Sequence, residues 1–216
     1  MSDLVGGYLL FPSTLRRVDL IAITLQAMEL GPGEFEVKLP EDGQPRTATD
    51  GYPFRTEEPP EQALALLAQE ESGVIEGKES RISEVFWFEP PIASCPVINL
   101  WVADRAMRYG ERPQEIESFV KRWLHLCEQG KAMLGYFSLF GFMGERDYLE
   151  DQIFPALQQR ELPQLLKGRG NWLIYLGPEL AERWRHEQTP FPSPPLISQD
   201  LPSGAHFFRT RTSVFD

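Results

Sequence analysis

The chain has 216 residues, 42% of them hydrophobic, enough to bury a substantial core. Against 21 basic residues stand 32 acidic ones, and the net charge of −11 gives a field that repels nucleic-acid phosphates and lipid headgroups and draws basic partners. The longest apolar runs fall far short of a membrane span, which excludes a helical membrane protein.

Met1-Ser-Asp-Leu-Val-Gly-Gly lacks the basic start and apolar core of a signal peptide. With no export signal, Cys95 and Cys127 are expected as two buried thiols in a cytoplasmic protein. Tyr8 to Phe11 reads as a strand, and Ser13 or Thr14 as the cap of a helix whose apolar stripe is Leu15, Val18, Ile21, Ala22, Leu25 and Met28. Gly31-Pro32-Gly33 stops it. Glu34 to Leu39 alternates as a half-exposed strand does, with Phe35, Val37 and Leu39 on one face. Residues 40–60 are turn chemistry and predict a long loop, a class of segment that is often functional or mobile.

A helix is expected from Pro60 to Glu71, with Ala63, Leu64 and Leu67 inward and Glu70-Glu71 opposing its dipole. Ile82 to Glu89 and Pro96 to Val102 form two strands linked by Pro90-Pro91, and Asn99 and Trp101 point to an incompletely buried face. Pro113 opens the cleanest helix, with the stripe Ile116, Phe119, Val120, Trp123, Leu124 and Cys127, the pair Glu117 and Lys121 opposite, and Gly130 as its cap. Ala132 to Phe140 is a strand, and Pro155 must kink or split the helical stretch from Glu145 to Arg160. From Gly168 to Trp184 the chain reads as glycine turn, buried strand from Trp172 to Leu176, corner at Gly177, and a helix opened by Pro178. A proline-rich linker within residues 189–204 leads to a last strand at Ala205 to Arg209.

Adjacent strands at 82–102 argue for at least some antiparallel pairing, so the expected class is α+β rather than a doubly wound parallel sheet: one domain over 1–216, with a mixed, largely antiparallel sheet packed against several helices.

Chemistry is harder to find. His125, His186 and His206 stand far apart with no metal-ligand spacing, and Ser138 lacks the glycines of a nucleophile elbow. Asp50 with Glu76 and Lys78 has the form of a divalent-metal hydrolase or nuclease site, against which the acidic field argues. Asp147, Glu150 and Asp151 read as a charged helix face. The sequence therefore predicts no catalytic residue, no metal and no cofactor.

What remains is charge. Between Asp50 and Glu89 lie ten acidic residues and three basic ones, Arg55, Lys78 and Arg81, interspersed with Tyr52, Phe54 and Phe86. Carboxylates around aromatic anchors suit a basic protein partner, and a plain solvated face fits the same residues. The expected contact residues are Asp50, Tyr52, Phe54, Glu57, Glu58, Glu70, Glu71, Glu76 and Glu79.

Three segments carry a resemblance: Ala132-Met-Leu-Gly-Tyr-Phe-Ser, Tyr148-Leu-Glu, and Leu165-Leu-Lys-Gly-Arg-Gly-Asn-Trp-Leu-Ile-Tyr-Leu-Gly-Pro-Glu-Leu. Together they resemble bacterial immunity proteins of polymorphic-toxin and type VI secretion systems, the immunity protein 52 family in particular, over about the last third of the chain. The resemblance implies stoichiometric inhibition of a cognate secreted toxin with a restriction-endonuclease-like domain, without catalysis. Gly135, Tyr136, Trp172, Tyr175, Gly177, Pro178 and Trp184 would then hold the scaffold, and the acidic stretch would cover a basic toxin cleft or a toxin surface away from it. A scaffold or adaptor without a toxin is the alternative, and self-association stays open.

Overall fold

The computed structural model describes residues 4–31, 33–47, 54–57, 59–77, 84–103, 107, 112–139, 145–166, 171–191 and 194–215. The expected contact residues Asp50, Tyr52, Glu58 and Glu79 lie outside them, as do Lys78 and Gly168.

Ten strands form one sheet: β1 (Leu4–Leu10), β2 (Phe35–Pro40), β3 (Phe54–Glu57), β4 (Gly73–Gly77), β5 (Glu84–Ile92), β6 (Cys95–Ala103), β7 (Leu134–Ser138), β8 (Asn171–Leu176), β9 (Ile197–Asp200) and β10 (His206–Arg209). Their spatial order is β3-β2-β4-β5-β6-β1-β7-β8-β10-β9. Every described pairing is antiparallel, so the α+β class stands and its mixed sheet is corrected to an antiparallel one. β1 lies inside the sheet, with Tyr8 opposite Asn99 of β6 and Tyr136 of β7. A Cβ on Gly7 would collide with the Tyr136 carbonyl, so the close β1–β7 approach requires glycine there.

Helices cover both faces. Against one lie α1 (Arg17–Ala27), α2 (Pro60–Leu67) and α3 (Pro113–Gln129), which bury Leu20, Leu67 and Phe119 against Val5, Val37, Phe86 and Leu100. On the other, α4 (Glu145–Tyr148), a π-helical turn (Leu149–Ile153), α5 (Phe154–Gln159), α6 (Leu162–Leu166) and α7 (Pro178–Glu187) follow. Leu149, Phe154, Leu165 and Leu180 pack there on Leu10, Ile174 and Phe208. Alternation along β8 sends Leu173 and Tyr175 to the first core and Ile174 and Leu176 to the second.

Several local expectations change. α1 has Arg16 at its N-cap with no side-chain cap, and Val18 of the expected stripe is 49% exposed. Ile21 and Met28 of that stripe are core as expected, Ala22 is exposed as well, and packing on the sheet adds Leu20, Thr24 and Ala27, with Thr24 satisfying its hydroxyl by donating to Leu20 O at 2.8 Å. The span 40–60 contains β3. β5 and β6 turn at Ala93-Ser94, both with positive φ, while Pro90-Pro91 occupies an irregularity between Glu89 and Ile92, where a missing N–H interrupts the ladder. Asn99 is 1% and Trp101 9% exposed, so that face is closed.

Gly130 is right-handed and Lys131 takes the left-handed position. Gly130 instead makes room for the Phe11 ring, which a Cβ would strike. Glu117 pairs with Arg209 at 2.8 Å. Pro155 acts through the turn before it: Phe154 N–H reaches back to Leu149 O, a widened i→i+5 bond that relieves the clash of the proline ring with the preceding turn. β9 lies within the 189–204 linker. Both cysteines are free thiols, Cys127 buried and Cys95 partly exposed.

Candidate functional site

The acidic stretch spans the β3–β2–β4 end of the sheet and α2. Phe54 is 8% exposed and sits edge-on to Trp87 (centroids 5.2 Å), which packs on Trp101 (4.9 Å). The expected aromatic anchor is therefore core: alternation turns it onto the sheet face with both tryptophans. Glu57 pairs with Arg55 of its own strand, and Glu76 on β4 pairs with Lys38 on β2. Of the proposed hydrolase set, Glu76 alone is described, and Lys38 already holds it. Among the described residues no group of three or more His, Cys, Asp or Glu side chains could hold a metal ion.

Two further acids leave the surface altogether. Arg122 of α3 donates to Glu84 at 2.6 Å, and burial pushes the Glu84 carboxyl above its ordinary value despite that partner. Glu89 accepts from Arg146 at 3.0 Å and from Asn99 Nδ2 at 3.2 Å. Arg146 also donates to Pro90 O at 2.9 Å and pairs with Glu150, which joins α4 to the β5 irregularity.

Glu70 and Glu71 behave differently. α2 ends at Leu67, and Arg17 of α1 reaches across to Leu67 O (3.0 Å), Glu71 O (3.0 Å) and Phe88 O (3.2 Å). Burial pushes the Arg17 guanidinium down to about 10, with Glu70 and Glu71 opposing that shift. The two acids that oppose the α2 dipole thus balance a cation that serves the helix's terminal carbonyls. Glu71 is exposed, Glu70 half-exposed, and Leu66 (42%), whose carbonyl accepts from Glu70 N–H at 3.0 Å, stands out one turn before them.

A second constellation was not foreseen. Ser198 on β9 lies 2.8 Å from His206 Nε2, and His206 Nδ1 lies 2.9 Å from Asp200 Oδ1. These are the separations of a Ser–His–Asp relay, and its Ser-x-Asp spacing on a strand opposite a histidine becomes visible only when β9 is paired with β10. Asp200 Oδ1 also accepts from Arg185 at 2.6 Å, and the imidazole packs on Trp184 and Phe208 with centroids 4.5 Å away. Both partners hold the Asp200 carboxyl below its usual range. Through Asp200, which Arg185 and His206 share, the set latches β9 and β10 to α7.

The scaffold residues occupy the sheet and its α7 corner. Trp172 is fully buried, stacks on Phe119, and donates to Arg211 O at 2.9 Å. Tyr175 donates to Glu128 at 2.7 Å, and burial with that bond raises its phenol. Tyr136 packs on Tyr8, Gly135 faces Leu9 and Trp123, and a Cβ at Gly177 would meet the Ala132 carbonyl. Pro178 opens α7, and Trp184 donates to Thr189 O at 3.1 Å. No family model, no curated protein and no solved structure matches the chain. Among the described residues no helix is long and apolar enough to cross a membrane.

Proposed function

We propose that the chain is an immunity protein, a non-catalytic inhibitor that binds and neutralises a cognate secreted antibacterial toxin in the cytoplasm. A basic, restriction-endonuclease-like nuclease is the toxin class the acidic surface fits. The observation that supports this reading best is the end of α2, where exposed Leu66 lies one turn before Glu70 and Glu71 and Arg17 of α1 reaches the Glu71 carbonyl. Acidic groups there steer a basic partner, and apolar side chains beside them slow its release. Elsewhere in the described stretch Glu57, Glu76, Glu84 and Glu89 are bound by Arg55, Lys38, Arg122 and Arg146, whereas Glu61 and Glu71 at the two ends of α2 are exposed, with exposed apolar Leu66 on the same helix. The resemblance of the last third of the chain to immunity proteins supports the same class.

The test is co-expression with the open reading frame beside the gene. A one-to-one complex with a product that is toxic alone is the expected result. Glu70→Lys with Glu71→Lys should lower the association rate at least tenfold at low salt, and Leu66→Asp should speed dissociation, both with an unchanged circular dichroism spectrum. A lone protein beside a harmless neighbour would instead favour an adaptor.

A further inference from the structure

A cavity of about 550 Å3 opens between the first turn of α7, the end of α5, the β5–β6 turn and the α3–β7 connection. Pro12, Met133, Phe154, Leu157 and Leu180 give it apolar walls, and Lys131 and Arg160 stand among its lining. That size suits a small ligand.

Three turns meet at this cavity with left-handed backbone: Ala93 (φ 46°), Lys131 (φ 51°) and Arg160 (φ 57°). Glycine adopts that conformation without strain, and lysine and arginine do not. Two of these positions carry cations, Lys131 and Arg160. Arg160 is matched by Glu179 at 2.8 Å. Lys131 is exposed and has no ion pair among the described residues. α7 starts in the same wall with no side-chain cap, through Glu179 and Leu180.

We propose that this cavity binds a fatty monocarboxylate of medium chain length. Its carboxylate sits against Lys131, with the first turn of α7 alongside, and its tail lies along Met133, Phe154, Leu157 and Leu180. An overall charge of −11 repels carboxylates in general, so retention depends on this local cation beside an apolar wall. The site is separate from the α1–α2 patch, and its test does not involve a toxin.

Decanoate is the probe, titrated by calorimetry below its micellar concentration, with decanol and decyltrimethylammonium as neutral and cationic controls. One-to-one binding is expected, with a rise in Tm and at least tenfold weaker binding of both controls. Cys95 lines the cavity and Cys127 is buried, so decanoate should slow alkylation of Cys95 severalfold. Lys131→Gly should weaken decanoate at least tenfold while Tm stays level or rises, because it removes the cation and the left-handed strain together. Leu157→Trp, which fills the cavity, should abolish binding. No decanoate binding, equal binding of decanol, or binding untouched by both substitutions would overturn the proposal.

Discussion

At Arg17 one guanidinium meets carbonyls from three separate places, Leu67, Glu71 and Phe88, while its plane lies over the Phe88 ring. Truncation to an apolar chain of similar length keeps the packing and removes the donors, so Arg17→Met should cost about 1–3 kcal/mol in urea unfolding. A cost near zero would mean that water replaces the guanidinium at those carbonyls. Trp172 is a different kind of residue, because its contribution is volume: it fills the space between Phe119 and Phe137, under Arg209. Trp172→Ala should lower stability by about 3–5 kcal/mol, and a harmless substitution would contradict its complete burial. The aromatic composition around Trp172 predicts its burial directly. Nothing in the sequence around Arg17 marks it, because its three acceptors are 50 to 71 residues away.

Among the elements, the β9–β10 hairpin depends on side chains more than on burial. Every residue of β9 is exposed, and the strand has one described neighbour, β10. Its attachment to α7 runs through Asp200, which Arg185 and His206 share. Because the folded Asp200 carboxyl lies below its ordinary value, the contribution is present above the unfolded pKa and is lost as pH falls through the folded one. Protection factors of the residue 197–200 amides, taken against the intrinsic exchange rate at each pH, should therefore fall in acid sooner than those of β1 or β8. Asp200→Asn should produce the same local loss of protection at neutral pH, and uniform exchange across the sheet in that variant would refute the latch. Turn chemistry alone reads this segment as linker, since four exposed residues carry no apolar alternation. The π-helical disturbance of the 145–160 helix just before Pro155, by contrast, has a cause legible in the sequence, because it is local and steric.

The whole molecule is held across its layers by ions as well as by apolar burial. Glu84 of β5 and Arg122 of α3 join the sheet to the longest helix, and Glu89 with Arg146 does the same on the opposite face. Burial raises the Glu84 pKa, so the folded chain holds that proton more tightly than the unfolded chain does. Its contribution is then fullest below the ordinary glutamate range and declines as pH rises through the raised value. Unfolding free energy measured from roughly pH 4 to 8 should fall less steeply toward neutral in Glu84→Gln than in the parent chain. An identical slope in both would place the titration elsewhere. Such pairs also alter how the net charge is to be understood: it counts Glu84 and Glu89 with the surface acids, and the fold removes them from solvent.

The sequence by itself determined the α+β class, the strand–helix order from β7 to α7, the alternation of β2 and the inward stripe of α3. Each rests on periodicity or steric punctuation within a few residues, and local geometry suffices to express it. Only the tertiary structure decided that the sheet is wholly antiparallel and that α1 turns Leu20 and Thr24 inward. It likewise decided that Phe54 and Trp101 are core, that Lys131 rather than Gly130 is left-handed, and that Ser198, His206 and Asp200 meet. In those cases the deciding partner lies on another strand or helix, and which neighbour it meets is fixed by long-range pairing that no local pattern encodes.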